Sequence, residues 1–255
     1  MVERRRVSMT MDGFLLCGHG SRDPVSVAGF AEIALGLASL LAGKPFAHGF
    51  MELAEPDLDA AVGSLAAAGA TRVLAVPGFL FAARHMREDL PRALAAAAEH
   101  HGIEVVLGRE LGPDAGLIAA LGERIRSSLV PVAAADDGTA LLVVGAGSSN
   151  ADVNAGLGAL AQELGRTHGF ATAVACYASV ARPSVGEAVE AIIARGLGRI
   201  LLLPWFLTEG SLLGLARNQA RVAVGDRAVL IEAPALGAHP LVLATLADRA
   251  AALAR

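Results

Sequence analysis

Two imidazoles and a carboxylate, His19, Glu52 and His85, fall where apolar runs of the chain give way to turns. Such a set can ligate a borderline divalent metal such as Co²⁺, Ni²⁺, Zn²⁺ or Fe²⁺. It can also supply bases that work near neutral pH. An internal repeat singles these three out. Thr71–Leu80 (TRVLAVPGFL) lies over Gly198–Leu207 (GRILLLPWFL), an offset of 127 residues (198 − 71). The same offset puts Leu15–Ser21 (LLCGHGS) over Leu142–Ser148 (LVVGAGS), and Glu55-Pro56 over Arg182-Pro183. Gly18, Gly20, Ser21, Pro56, Pro77 and Phe79 keep their residue type in the second copy. His19, Glu52 and His85 become Ala146, Ser179 and Leu212. A fold needs its glycines and prolines in both copies, whereas a reaction site need be built once.

The elements that must position these residues alternate between apolar strands and helices. Phe14–Cys17 reads as a strand ending in Gly18-His19-Gly20-Ser21, with Asp23 as N-cap and Pro24 opening a helix toward Leu41. Phe46–Glu52 reads as a second strand, with a helix from Pro56 to Gly69. Val73–Pro77 is a third strand, followed by a helix from His85 to His101. Ile103–Gly108 and a helix over Pro113–Leu129 close the first unit. The strand pattern recurs at Leu141–Val144, Ala171–Tyr177, Ile200–Pro204 and Val229–Ala233. Wholly apolar strands separated by single helices imply parallel sheets covered on both faces. The expectation is an α/β chain of two tandem flavodoxin-like units, each a four-stranded parallel sheet flanked by helices. Residues 1–129 form the first unit, 130–138 a linker, and 139–255 the second. In such sheets ligands bind beyond the carboxyl ends of the strands, where His19, Glu52 and His85 converge.

Composition fits a soluble cytoplasmic protein. The net charge of −4 is too small to suggest nucleic acid or a membrane surface as partner. No apolar stretch approaches the roughly 20 residues of a membrane span. The basic opening MVERRR breaks before any long apolar segment, which argues against a signal peptide. Cys17 and Cys176 sit inside apolar runs without metal spacing and read as buried thiols. His100 and His101 read as solvent-facing residues at a helix end and His239 as structural, while His48 shares strand parity with Phe50 and Glu52, so that a place behind the site is its lesser reading. Trp205 reads as an apolar wall of the cleft.

The segments CGHGSRDP, FMELAEPDL and VPGFLFAARHMREDLP resemble the sirohydrochlorin chelatases, class II tetrapyrrole chelatases of cobalamin and siroheme synthesis. The resemblance covers nearly the whole chain, since that family includes long forms of two fused units. It implies insertion of a divalent metal into sirohydrochlorin without ATP or an organic cofactor. Cobalt is favoured because long two-unit relatives are commonly cobaltochelatases; Fe²⁺ and Ni²⁺ are the alternatives. His19 and His85 match the family's paired metal-site histidines and Glu52 their acidic partner. The approach to the second histidine departs from the family's glycine-like pattern, reading Ala82-Ala83-Arg84.

Sirohydrochlorin carries several carboxylates, so Ser21, Arg22, Arg84 and Arg87 are candidate substrate contacts, and the helix end at Ser21–Asp23 would favour anions. For the arginines a solvated helix face is an equal reading. The resemblance further implies a monomer in which two fused units replace a pair of identical chains, with one cleft between them. Three rival readings remain at this point. A histidine phosphatase would need arginine where Gly18 stands. A carrier of metal or tetrapyrrole needs the same ligands as a chelatase. Neither GHGSRD nor GAGSSN matches a dinucleotide-binding glycine motif.

Overall fold

The computed structural model describes residues 11–41, 43–81, 85–129 and 138–255, without the side chains of His85 and Met86. Arg84, the basic opening and nearly all of the candidate linker (130–137) lie outside the described residues. The first half runs β1 (Asp12–Gly18), α1 (Pro24–Leu40), β2 (Phe46–Phe50), α2 (Leu58–Ala67), β3 (Arg72–Pro77), a π-helical turn (His85–Asp89), α3 (Leu90–His101), β4 (Glu104–Leu107) and α4 (Ala115–Leu129). The second runs β5 (Thr139–Gly145), α5 (Ala151–His168), β6 (Thr172–Tyr177), α6 (Val185–Ala194), β7 (Arg199–Pro204), α7 (Ser211–Val224), β8 (Val229–Glu232) and α8 (Pro240–Leu253). The sheets have strand orders β2-β1-β3-β4 and β6-β5-β7-β8, all pairings parallel, as the apolar runs require.

The two halves are not separately cored. One apolar cluster takes in β1 and β3 (Phe14, Leu16, Leu74, Val76), α1, α4, α5 and α8, and β5 and β7 (Leu141, Val143, Leu201, Leu203). The outward faces of the two sheets are closed separately by α2 with α3 and by α6 with α7. The halves meet with approximate twofold symmetry. A Cβ on Gly29 of α1 would touch Thr208, and a Cβ on its counterpart Gly156 of α5 would touch Phe81, the counterpart of Thr208.

Three differences from the sequence reading bear on the site. β2 stops at Phe50 because two successive amides, Met51 and Glu52 N–H, then donate to the same neighbouring segment, at the Gly18 and His19 carbonyls, where a continuing strand would alternate sides. Helix α2 begins at Leu58, capped by the Asp57 side chain on Ala60 N, not at Pro56. The expected helix from His85 opens as a single π turn before settling into α3.

Candidate functional site

The turn after β1 and the turn after β2 are sewn together by backbone, and that contact holds His19 beside Glu52. Gly18 O accepts from Met51 N at 3.0 Å, and His19 O from Glu52 N at 3.1 Å. Gly20 has φ +95°, and a Cβ there would lie 1.7 Å from the Glu52 carbonyl oxygen. Only glycine lets the two turns come this close. The imidazole of His19 then stands with Nδ1 3.6 Å from Glu52 Oε1, the two side chains 40% and 50% exposed.

The second half repeats this scaffold bond for bond. Ala178 N donates to Gly145 O at 2.9 Å and Ser179 N to Ala146 O at 3.0 Å. Gly147 has φ +92°, its Cβ position 2.0 Å from Ser179 O. Even the strained residue after the acidic position recurs, Leu53 at φ 64° and Val180 at φ 60°. A β-branched residue in the left-handed region is costly, so the turn itself imposes that geometry. The backbone device is therefore structural and duplicated, while the imidazole and carboxylate it carries are not.

His19 opens onto a cleft of about 350 Å³ between the halves, within the size range of small-molecule sites. Its walls are mainly apolar and come from both halves: Phe79 and Phe81 after β3, and Tyr177, Trp205 and Phe206 from the second sheet. Trp205 is buried and packs its ring 5.7 Å from that of Phe81, tilted by 55°. Ala146, the counterpart of His19, lines the same cleft, and Leu212, the counterpart of His85, lines an adjoining hollow with Ser21. Equivalent strand ends thus face one crevice. Glu52 is not among the residues lining this cleft; it borders an outer hollow with Asp89, Arg92 and Ala96.

The candidate substrate contacts are more dispersed. Ser21 lines the hollow beside His19, its Oγ accepting from Asp23 N at 3.0 Å. Arg22 and Arg87 are exposed, and neither is among the residues lining the inter-half cleft. His85 begins the π turn after β3, its side chain outside the described residues. His48 packs its ring edge-on to Phe50 at 5.8 Å and against Phe30 at 6.3 Å. Burial lowers its pKa, which suits a neutral packing imidazole. His239 caps α8, accepting from Leu241 N. The aromatic residues Phe81, Tyr177 and Phe206 escaped the sequence reading. The signal was the repeat itself, which sets PGFLF and PWFLT at matching strand tips and Tyr177 over Phe50 at the ends of the second strands.

The α1 N-terminus is not the open anion site its sequence suggested, because Asp23 already occupies it. Asp23 Oδ1 accepts from Val25 N at 2.9 Å, while Oδ2 accepts from both Ser211 N and Ser211 Oγ at 2.5 Å. One carboxylate therefore caps two helices, α1 and the otherwise uncapped α7 of the other half. The Ser211 hydroxyl, and then the Val25 amide, hold the Asp23 carboxyl below its usual pKa. A lowered folded-state pKa contributes stability above the ordinary carboxylate range and loses it as pH falls through the folded value. Asp23→Asn should therefore melt below the parent at pH 7, with the gap closing in acid. A gap that persists in acid would show that charge is not what this contact supplies.

A family model described as CbiX matches the chain twice, over residues 13–128 and 140–253. A sirohydrochlorin ferrochelatase of Priestia megaterium is 29% identical over 191 residues, 74% of this chain and 71% of its own length. A sirohydrochlorin cobaltochelatase of the same organism is 27% identical over 209 residues, 80% of this chain and 66% of its own length. Among solved structures, the sirohydrochlorin chelatase SirB from Bacillus subtilis subspecies spizizenii in complex with cobalt shares the fold. Its TM-score is 0.79 at 22% identity, over 96% of each chain. With one copy of the family unit matched on each half, the chain belongs to the CbiX family.

Proposed function

We propose that this chain is a sirohydrochlorin chelatase that inserts a divalent metal ion, Co²⁺ by preference, into the macrocycle without ATP, on the route to cobalamin. The observation that carries this reading is the duplicated backbone scaffold whose ionisable side chains exist in one copy only. Insertion exchanges two pyrrole N–H protons for M²⁺, so the site must hold the metal, hold the macrocycle and accept two protons. In this account His19 and His85 hold the incoming ion and leave positions open for pyrrole nitrogens. Glu52, 3.6 Å from His19 Nδ1, orients that ring and shares the proton acceptance with it. The aromatic cleft receives the flat face of the tetrapyrrole and excludes water from the exchange. Ser21, Arg22, Arg84 and Arg87 meet its peripheral carboxylates.

Residues 1–129 supply the metal ligands in this account, residues 139–255 supply a wall, and one chain suffices as a fused pseudo-dimer in the cytoplasm. Relatives named for iron and for cobalt stand at similar identity. The cobalt assignment follows the long two-unit members of the family. Competition between Co²⁺, Fe²⁺ and Ni²⁺ for insertion tests it: kcat/KM should be highest for Co²⁺, and a higher value for Fe²⁺ would make this a ferrochelatase.

Glu52→Gln keeps shape and removes charge. It should slow insertion about 10- to 100-fold, the usual cost of losing a group that orients a ligand. Melting should hold, since the side chain is half exposed. Unchanged insertion with a lowered melting temperature would make Glu52 structural.

A further inference from the structure

On the outer face of the first sheet, where α2 packs on α3, His100 is exposed as the sequence suggested, whereas His101 is mostly enclosed. Both turn onto Asp59 in the first turn of α2. His100 Nδ1 lies 2.9 Å from Asp59 Oδ1, and His101 Nε2 lies 3.2 Å from the same oxygen. Neighbouring helical residues point about 100° apart, yet these rings stack with centroids 4.4 Å apart and planes 32° apart. His101 Nε2 is enclosed and makes no hydrogen bond, so the contact with Asp59 leaves it unsatisfied. One ligand atom from each residue lies within 4.8 Å of the other two.

The pocket for the inner ring is built into α2. Gly63 lies one turn beyond Asp59, and a Cβ there would come within 2.7 Å of His101 Cε1 and 3.1 Å of Nε2. A mid-helix glycine costs about 0.5–1 kcal/mol relative to alanine, and here it makes room for an imidazole. The second half shows that the fold does not need this arrangement. The counterparts of Asp59 and Gly63 are Gly186 and Glu190, and Glu190 makes a two-pronged ion pair with Arg227. One copy closes the seam with an ordinary salt bridge, the other with two imidazoles and a carboxylate.

We propose that Asp59, His100 and His101 form a second divalent-metal site, separate from the cleft, for a borderline ion such as Zn²⁺, Co²⁺ or Ni²⁺. The donor set suits that class of ion. Three protein ligands leave at least one position for water. Bound there, the ion would tie the end of α3 to the start of α2. The proposal does not depend on the chelatase reading.

The test uses the untagged full chain with His19→Ala, so that the cleft is impaired, and Co²⁺ as probe at pH 7.5. Equilibrium dialysis and visible absorption should show bound Co²⁺, and Co²⁺ should raise the melting temperature. Adding Asp59→Asn, or separately His101→Ala, should weaken that binding by at least about tenfold, the floor set by losses of mere outer-shell partners. Both should abolish the thermal shift. Far-ultraviolet circular dichroism confirms that each variant is folded. Gly63→Ala, which keeps all three ligands but crowds the ring, should weaken binding as well. No Co²⁺ retained by the His19→Ala chain, or retention and thermal shift unchanged by Asp59→Asn and His101→Ala, would overturn the site.

Discussion

Replacing His19 with alanine should lower the rate of metal insertion by about 10²–10⁴-fold, the range set by removal of a positioned acid–base group. Folding should be spared. The imidazole is 40% exposed, and the backbone that presents it is held by bonds from its own carbonyl and from Gly18, not by its ring. Ala146 already occupies the equivalent place in a half that forms the same turn with the same bonds. The stability change should therefore stay within about 0.5 kcal/mol, as for surface substitutions generally. His85→Ala should behave alike, with Leu212 as its natural precedent. Insertion at the parent rate by either variant would remove these residues from the chemistry, and a large loss of stability would make their role structural.

The second large effect is expected at Gly20, where structure and chemistry can be separated by using the repeat as an internal control. A methyl group there would strike the Glu52 carbonyl at 1.7 Å in a backbone conformation that L-residues disfavour by roughly 1–2 kcal/mol. The turn must open, and Glu52 and His19 must part. Gly147→Ala imposes nearly the same insult in the second half, 2.0 Å from Ser179 O. Both variants should melt well below the parent and by similar amounts. Insertion per folded molecule should collapse in Gly20→Ala, by about 10²-fold or more as for misplaced reacting groups. It should fall much less in Gly147→Ala. Equal losses of activity would mean that the second half's turn also carries chemistry.

The strands were legible because parallel sheets buried on both faces leave nearly continuous apolar runs. The repeat then gave the number of units and the convergence of His19 and Glu52 at one edge. What the sequence withheld were contacts between distant segments. Nothing local announces that β2 ends at Phe50; the cause is the pair of carbonyls at Gly18 and His19, which take its next amides. Two tandem units were expected, but not that Leu16 and Leu141 would share one core, because an apolar face does not specify which apolar face will cover it. Asp23 was legible as the cap of α1, but its second task at α7 spans 188 residues. His100 and His101 were read from their place at a helix end, whereas Asp59 and Gly63 on another helix decide where they point.

The central claim is that this chain catalyses insertion at a single site in its first half. Its most direct test is the absorbance change of sirohydrochlorin mixed with Co²⁺ and purified chain, without nucleotide, beside the same mixture holding His19→Ala. The account predicts conversion of free macrocycle to cobalt complex far above the uncatalysed rate with the parent, and near the uncatalysed rate with the variant. Tetrapyrrole that binds the parent chain but acquires metal no faster than in buffer would contradict it and leave a carrier in its place.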